Sequence, residues 1–245
     1  MKKLFKILVV AVLTVSLLAG CSAENKKTEN QNVQISVEDA KKSMENIVNL
    51  SNYSPITRED GTFHYAYKSE LFTEFDLNYI VSFGSDTRVD MPENFATLKK
   101  LGWTLSDAKY ENLILKPTAS TNVNCEKDGK IVMVFVKNST EGEIKCHEGV
   151  INRIKFNLYS KDDNYSEKLK EAPDFKIGNS IDNNTDIKGI ISAVGEPSDI
   201  SFSEENGNCT AVMLTYQNIT KNDWLKFELS PDGTKRVSVD YSIAY

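Results

Sequence analysis

Two stretches of this chain follow one plan. A repeat constrains a fold more than local propensity does, because each copy must solve the same burial problem. Residues 83–102 read FGSDTRVDMPENFATLKKLG, and residues 175–195 read FKIGNSIDNNTDIKGIISAVG. Each opens on Phe, runs through polar residues and closes on an apolar-x-x-apolar-Gly run. The closing runs are Leu98-Lys99-Lys100-Leu101-Gly102 and Ile191-Ser192-Ala193-Val194-Gly195. Gly102 and Gly195 stand where a helix C′ residue turns left-handed. Pro92 and Glu93 suit the first turn of one helix, and Thr185 can cap the other.

The match resumes downstream. Residues 132–140 (VMVFVKNST) parallel residues 212–220 (VMLTYQNIT), both strands running into an Asn-containing turn. Residues 143–147 and 224–229 read as a third strand of each copy, and 150–158 and 236–242 as a fourth. The expected fold is therefore α+β, with two tandem repeats. Each repeat is a helix packed on a roughly four-stranded antiparallel sheet. Alternation should place Val132, Val134 and Val136 on one sheet face and Val212, Leu214 and Tyr216 on the matching face.

An N-terminal helix precedes the repeats. Ser36-Val37-Glu38-Asp39 has capping-box spacing, and Ala40, Met44, Ile47 and Val48 follow at helical intervals. Residues 63–67 (FHYAY) read as a strand, whereas the acidic, aromatic stretch up to Phe75 fits strand or helix. The domains expected are 35–172, an N-terminal α+β domain with the first repeat, and 173–245, the second repeat. Charged residues 161–173 read as the linker.

The chain opens on a basic n-region, Lys2, Lys3 and Lys6, followed by an apolar run over 7–18 and then Leu18-Ala19-Gly20-Cys21. That is the layout of a secretory signal peptide, here residues 1–20. The apolar run is shorter than the ~20 residues needed to span a bilayer. Leu18-Ala19-Gly20-Cys21 resembles the lipobox of bacterial lipoproteins. The resemblance implies that Cys21 receives a diacylglycerol and becomes the first residue after cleavage. It also implies a cell-membrane location, lipid-anchored on the extracytoplasmic face. Residues 21–34 have almost no apolar side chains and read as a flexible tether.

Cleavage would remove three of the 29 basic side chains and none of the 35 acidic ones, leaving a net charge of −9. That charge disfavours nucleic acid and adhesion to an anionic bilayer. Cys125, Cys146 and Cys209 remain, an odd number without metal-ligand spacing. They are expected to be free thiols. If the strands around them are consecutive neighbours, two strand spacings, about 9.5 Å, separate Cys125 from Cys146. A disulfide needs Cα atoms within ~7 Å.

The second copy has Phe-x-x-Gly at 175–178, Thr-Asp-Ile at 185–187, Val194-Gly195-Glu196-Pro197, then Leu-Thr-Tyr at 214–216 and Leu-Lys-Phe at 225–227. This series resembles the β-lactamase-inhibitor-protein-like fold and is similar to small lipoproteins of outer-membrane assembly. It covers 175–245 best and 83–159 more loosely, where Gly102-Trp103 replaces Gly-x-Pro. The resemblance implies a chain that binds other proteins or supports envelope assembly, and it transfers no binding residue.

Catalytic motifs are thin. Ser106-Asp107-Ala108-Lys109 has Ser-x-x-Lys spacing, but Ser-Asp-Asn and Lys-Thr-Gly are absent, so a loop is expected. Asp182-x-Asn184-x-Asp186 starts like a calcium loop, yet Ile187 replaces the required Gly and Ala193 the required Glu. A polar turn and helix cap is expected there. His64 and His147 have no neighbours that mark a nucleophile and read as structural. Trp103 and Trp224 could be contact anchors, but Trp224, beside Leu225 and Phe227, is expected in the core. The chain is thus expected to be a membrane-anchored, non-catalytic protein-binding or envelope-assembly module. It is expected to use no cofactor or metal and to partner an envelope or surface protein. A cell-envelope hydrolase and a transport-associated solute-binding protein are the alternatives.

Overall fold

The computed structural model describes residues 34–59, 62–68, 80–160, 165, 167–218 and 220–244. The expected signal peptide, Cys21, nearly all of the expected tether and the stretch 69–79 lie outside the described residues. Strand β1 (Ile35–Ser36) leads into helix α1 (Val37–Glu45), and β2 (Tyr53–Thr57) pairs with β3 (Phe63–Tyr67). Next come β4 (Val81–Phe83), β5 (Thr87–Val89), β6 (Glu93–Asn94), helix α2 (Phe95–Lys100) and β7 (Thr104–Leu105). Then follow β8 (Ile114–Leu115), β9 (Ser120–Lys127), β10 (Lys130–Lys137), β11 (Ile144–Lys145) and β12 (Val150–Asn157). After Pro173 the chain gives β13 (Phe175–Ile177), β14 (Ile181–Asp182) and helix α3 (Ile187–Val194). It closes with β15 (Asp199–Glu205), β16 (Asn208–Asn218), β17 (Asp223–Leu229) and β18 (Arg236–Ser242).

Twelve strands form one antiparallel sheet in the order β2-β3-β15-β16-β17-β18-β12-β10-β9-β7, with β1 on β16 and β6 on β12. A second, four-stranded sheet runs β14-β13-β4-β5, and β8 pairs with β11 apart from both. This mostly β architecture overturns the expected α+β fold of two helix-on-sheet repeats. The helices are short: α1 packs on β15 and β16, whereas α2 and α3 sit against the two-residue strands β6 and β14. The physical reason for one sheet is edge pairing. β12 and β18 bond to each other from Arg153↔Ser242 to Asn157↔Ser238, so neither leaves a row of open N–H and C=O groups. Residues 35–172 and 173–245 therefore supply strands to the same sheet. Much of the expected linker is packed, since Leu169 N donates to Leu158 O at 2.8 Å and Ala172 is buried.

The strand match also needs correcting. Reading outward from the β12–β18 pair, one flank is β10, β9, β7 and the other β17, β16, β15. Residues 132–137 thus occupy the place of β17, not of residues 212–218. The expected third strand at 143–147 is only the two-residue β11 followed by a 3-10 turn at Cys146–Glu148. The helix caps differ as well. Asn94, not the Pro92-Glu93 pair, opens α2, accepting from Ala96 N at 2.8 Å. Asp186, not Thr185, caps α3, accepting from Gly189 N at 2.7 Å. Ser36 does cap α1, accepting from Asp39 N at 3.1 Å.

The alternation places Val132, Val134 and Val136 inward, along with Val212, Leu214 and Tyr216. One buried row runs Val134, Ile154, Tyr241, Leu225, Tyr216 across five strands, and another runs Phe156, Val239, Phe227, Leu214, Ile200. The small sheet packs beneath. Phe175 of β13 stacks on Phe156 with centroids 4.7 Å apart, and Phe83 of β4 meets Phe156 at 5.7 Å and Trp103 at 5.1 Å. Trp103 Nε1 donates to Thr87 Oγ1 at 2.7 Å, which satisfies the polar end of a buried indole.

Candidate interaction surface

Because side chains alternate along each strand, the residues between those inward rows share the other face of the long sheet. One row reads Phe135, Arg153, Ser242, Trp224, Gln217, and the next Met133, Lys155, Asp240, Lys226, Thr215, Asp199. Phe135, Met133, Trp224 and Met213 stand on this face and none belongs to the hydrophobic core.

Arg153 organises its centre. Its Nε donates to Asp240 Oδ1 at 2.8 Å and its Nη2 to Oδ2 at 2.5 Å, a bidentate bridge across the β12–β18 seam. Its guanidinium carbon lies 3.9 Å from the Phe135 ring centroid and 4.6 Å from that of Trp224. Lys226 Nζ lies 4.4 Å from the Trp224 centroid on the same strand, β17. Burial pushes the Lys226 ammonium below its usual range against the pull of Asp240, and Arg153 adds to the lowering. Glu228 accepts from Ser238 Oγ at 3.0 Å and faces Lys155 Nζ at 4.0 Å. At the flank His64 Nδ1 contacts Asp199 Oδ2, tying β3 to β15. Charges held by their neighbours, with an aromatic on either side of an arginine, suit recognition of another macromolecule. Trp and Arg dominate the energetics of protein interfaces.

Trp224 corrects the sequence expectation. It is half-buried on the face opposite the inward rows, while Trp103 is 2% exposed in the core. The signal was available: Leu225 and Phe227 are both inward, and a residue one step before Leu225 must point the other way. Arg153 carried no such signal, because its neighbours Asp240 and Trp224 are distant in sequence.

The other singled-out residues are dispersed. Cys21 lies outside the described residues. Cys125, Cys146 and Cys209 are free and buried, but not for the reason of strand spacing. Cys146 N bonds to Leu113 O rather than to a strand beside β10. Burial pushes the Cys125 thiol up to about 12, and nearby Cys146 adds to the rise. Asp107 caps a 3-10 turn, accepting from Lys109 N at 2.9 Å. Asp182 Oδ1 accepts from Asn184 N, Thr185 N and Thr185 Oγ1, a closed polar turn. His147 sits in the turn at Cys146–Glu148, away from His64's strand. Among the described residues no three His, Cys, Asp or Glu side chains group to hold a metal, and no helix is long and apolar enough to cross a membrane. Comparison with family models, curated proteins and solved structures finds no match to this chain.

Proposed function

We propose that this chain is a lipoprotein, held on the extracytoplasmic face of the cell membrane by a diacylglycerol on Cys21. Its folded part is a non-catalytic module that binds a protein of the envelope or cell surface. The observation that carries this reading is the sheet face built on Arg153. Its centre sets Phe135, Trp224 and Met133 outside the core beside a bidentate Arg153–Asp240 pair. Aromatic and Met side chains with an ordered arginine match the composition of protein interface centres. The acidic chain disfavours nucleic acid as the partner.

A photo-crosslinking residue placed at Phe135 in intact cells tests the surface, with the same residue at exposed Lys109 as the control. A discrete protein adduct is expected from position 135 and not from position 109, and it should diminish with Arg153→Ala. Equal labelling from both positions would refute the assignment. The anchor is tested separately. Cys21→Ala should block lipidation and cleavage at this site, and a variant found in the membrane fraction at the wild-type mature mass would overturn it.

A further inference from the structure

A second site lies on the covered side of the molecule, where the β14–α3 connection, the start of β18 and Lys168 enclose a cavity of about 170 Å³. That is below the ~300–1,000 Å³ of pockets for drug-sized ligands, so it suits a small ion. Asn184, Thr185 and Thr234 line it with neutral polar groups, and Lys168, Lys235 and Arg236 with positive charge.

Arg236 is the unusual member. The residue is 7% exposed. Its Nη2 donates to the Asp182 backbone oxygen at 2.6 Å, while its buried Nε and Nη1 have no hydrogen-bond partner among the described residues. No carboxylate forms a salt bridge with it among those residues. Its guanidinium carbon sits 5.3 Å from the Phe175 centroid, and burial lowers the group to about 10 against the pull of Asp182. A buried, unpaired cation is costly, and an anion in the adjoining cavity would offset that cost.

Two further features favour an anion. The eight-residue helix α3 starts at the cavity through Ile187, and its N-terminus carries partial positive charge. Asp186, the carboxylate in the lining, already accepts from Gly189 N at 2.7 Å as the cap of α3. The positive character is not imposed by the fold. Towards the other end of β18, the cavity between Asp90–Pro92 and Tyr241–Ala244 holds Asp90 and Asp223 against Lys221.

We propose that the Arg236 cavity binds a tetrahedral oxyanion, a phosphate or phosphomonoester. The guanidinium supplies buried positive charge at its wall. Lys168 and Lys235 close its rim, and the Asn184 side-chain amide lies in its lining, while the Thr185 and Thr234 hydroxyls already donate to Asp182 and Asp232.

Titration of the full chain with sodium phosphate at constant ionic strength, followed by amide NMR, tests this. Saturable shifts are expected at Asn184, Thr185, Thr234 and Lys235. Lys168→Gln, at an exposed position, should weaken binding about fivefold by removing one nearby charge, with the thermal midpoint in chloride unchanged. Arg236→Gln should abolish saturation. Parallel titrations with glycerol 3-phosphate identify the source: tighter binding than inorganic phosphate assigns a phosphoester, and equal or weaker binding assigns the free ion. Shifts that fail to saturate, or an affinity unchanged by Lys168→Gln and Arg236→Gln alike, would overturn the proposal.

Discussion

Asn138 shows how much one side chain can hold. It is fully buried and uses its whole amide. Nδ2 donates to Leu115 O at 2.9 Å and to Gly142 O at 2.7 Å, and Oδ1 accepts from Thr140 N and Thr140 Oγ1, each at 2.8 Å. These bonds tie the excursion after β7 and the turn after β10 to one point. Asn138→Ala leaves several buried groups unpaired and should cost about 2–4 kcal/mol, read as a shifted denaturation midpoint with an unchanged slope. The buried thiols give a second residue-scale prediction. Burial raises the thiols of Cys125, Cys146 and Cys209, Cys125 from 9.0 to about 12. The folded chain therefore keeps protons that the unfolded chain has released. The stability they contribute is full below pH 9 and falls as pH rises above it, for Cys125 by about 1.4 kcal/mol per unit on the way to pH 12. Denaturation curves at pH 8 and pH 10.5 should show the loss, and a flat profile would contradict it. At this scale the sequence was most readable where residue type alone signals a role, as with the Asn138 turn. It was least readable where a role depends on a neighbour brought by folding, as with Arg153.

At the scale of elements, alternation predicted the inward valines of β10 and the strand at 63–67. What it could not supply was which strand lies beside which. The register Lys155↔Asp240 joins positions from opposite parts of the chain, and no local spacing encodes it. The apparent match of 132–140 with 212–220 was a likeness between two inward-facing strands, each obeying the same period of two. The helices were over-weighted for a related reason. Short apolar runs ending in Gly signal a helix stop without giving a length, and α2 has only six residues. The seam between β10 and β12 offers a test. Its register shifts between Phe135 and Val136. Gly149 lies beside that bulge, where an added Cβ would meet Val136 Cγ1 at 2.5 Å and Lys137 O at 2.9 Å. Its φ of −78° is open to any residue, so space, not conformation, demands glycine. Gly149→Ala should destabilise by about 1–3 kcal/mol through overpacking. A thermal midpoint equal to wild type would show that β10 can move aside.

For the whole molecule, the continuous sheet predicts one cooperative unfolding transition. Two autonomous repeats would give two. Calorimetric and van't Hoff enthalpies should agree over the folded part, and resolved transitions would argue for independent halves. A fragment of residues 35–172 should fail to fold, because it exposes the β18-facing edge of β12 and removes Phe175 from its stack on Phe156. The arrangement has a consequence for how the molecule is made. β18 is synthesised after every other described strand, yet it occupies the middle of the sheet. While it is still inside the ribosome, β17 and β12 are two unjoined margins. The two flanks thus stay apart until β18 emerges, and its closure locks both at once.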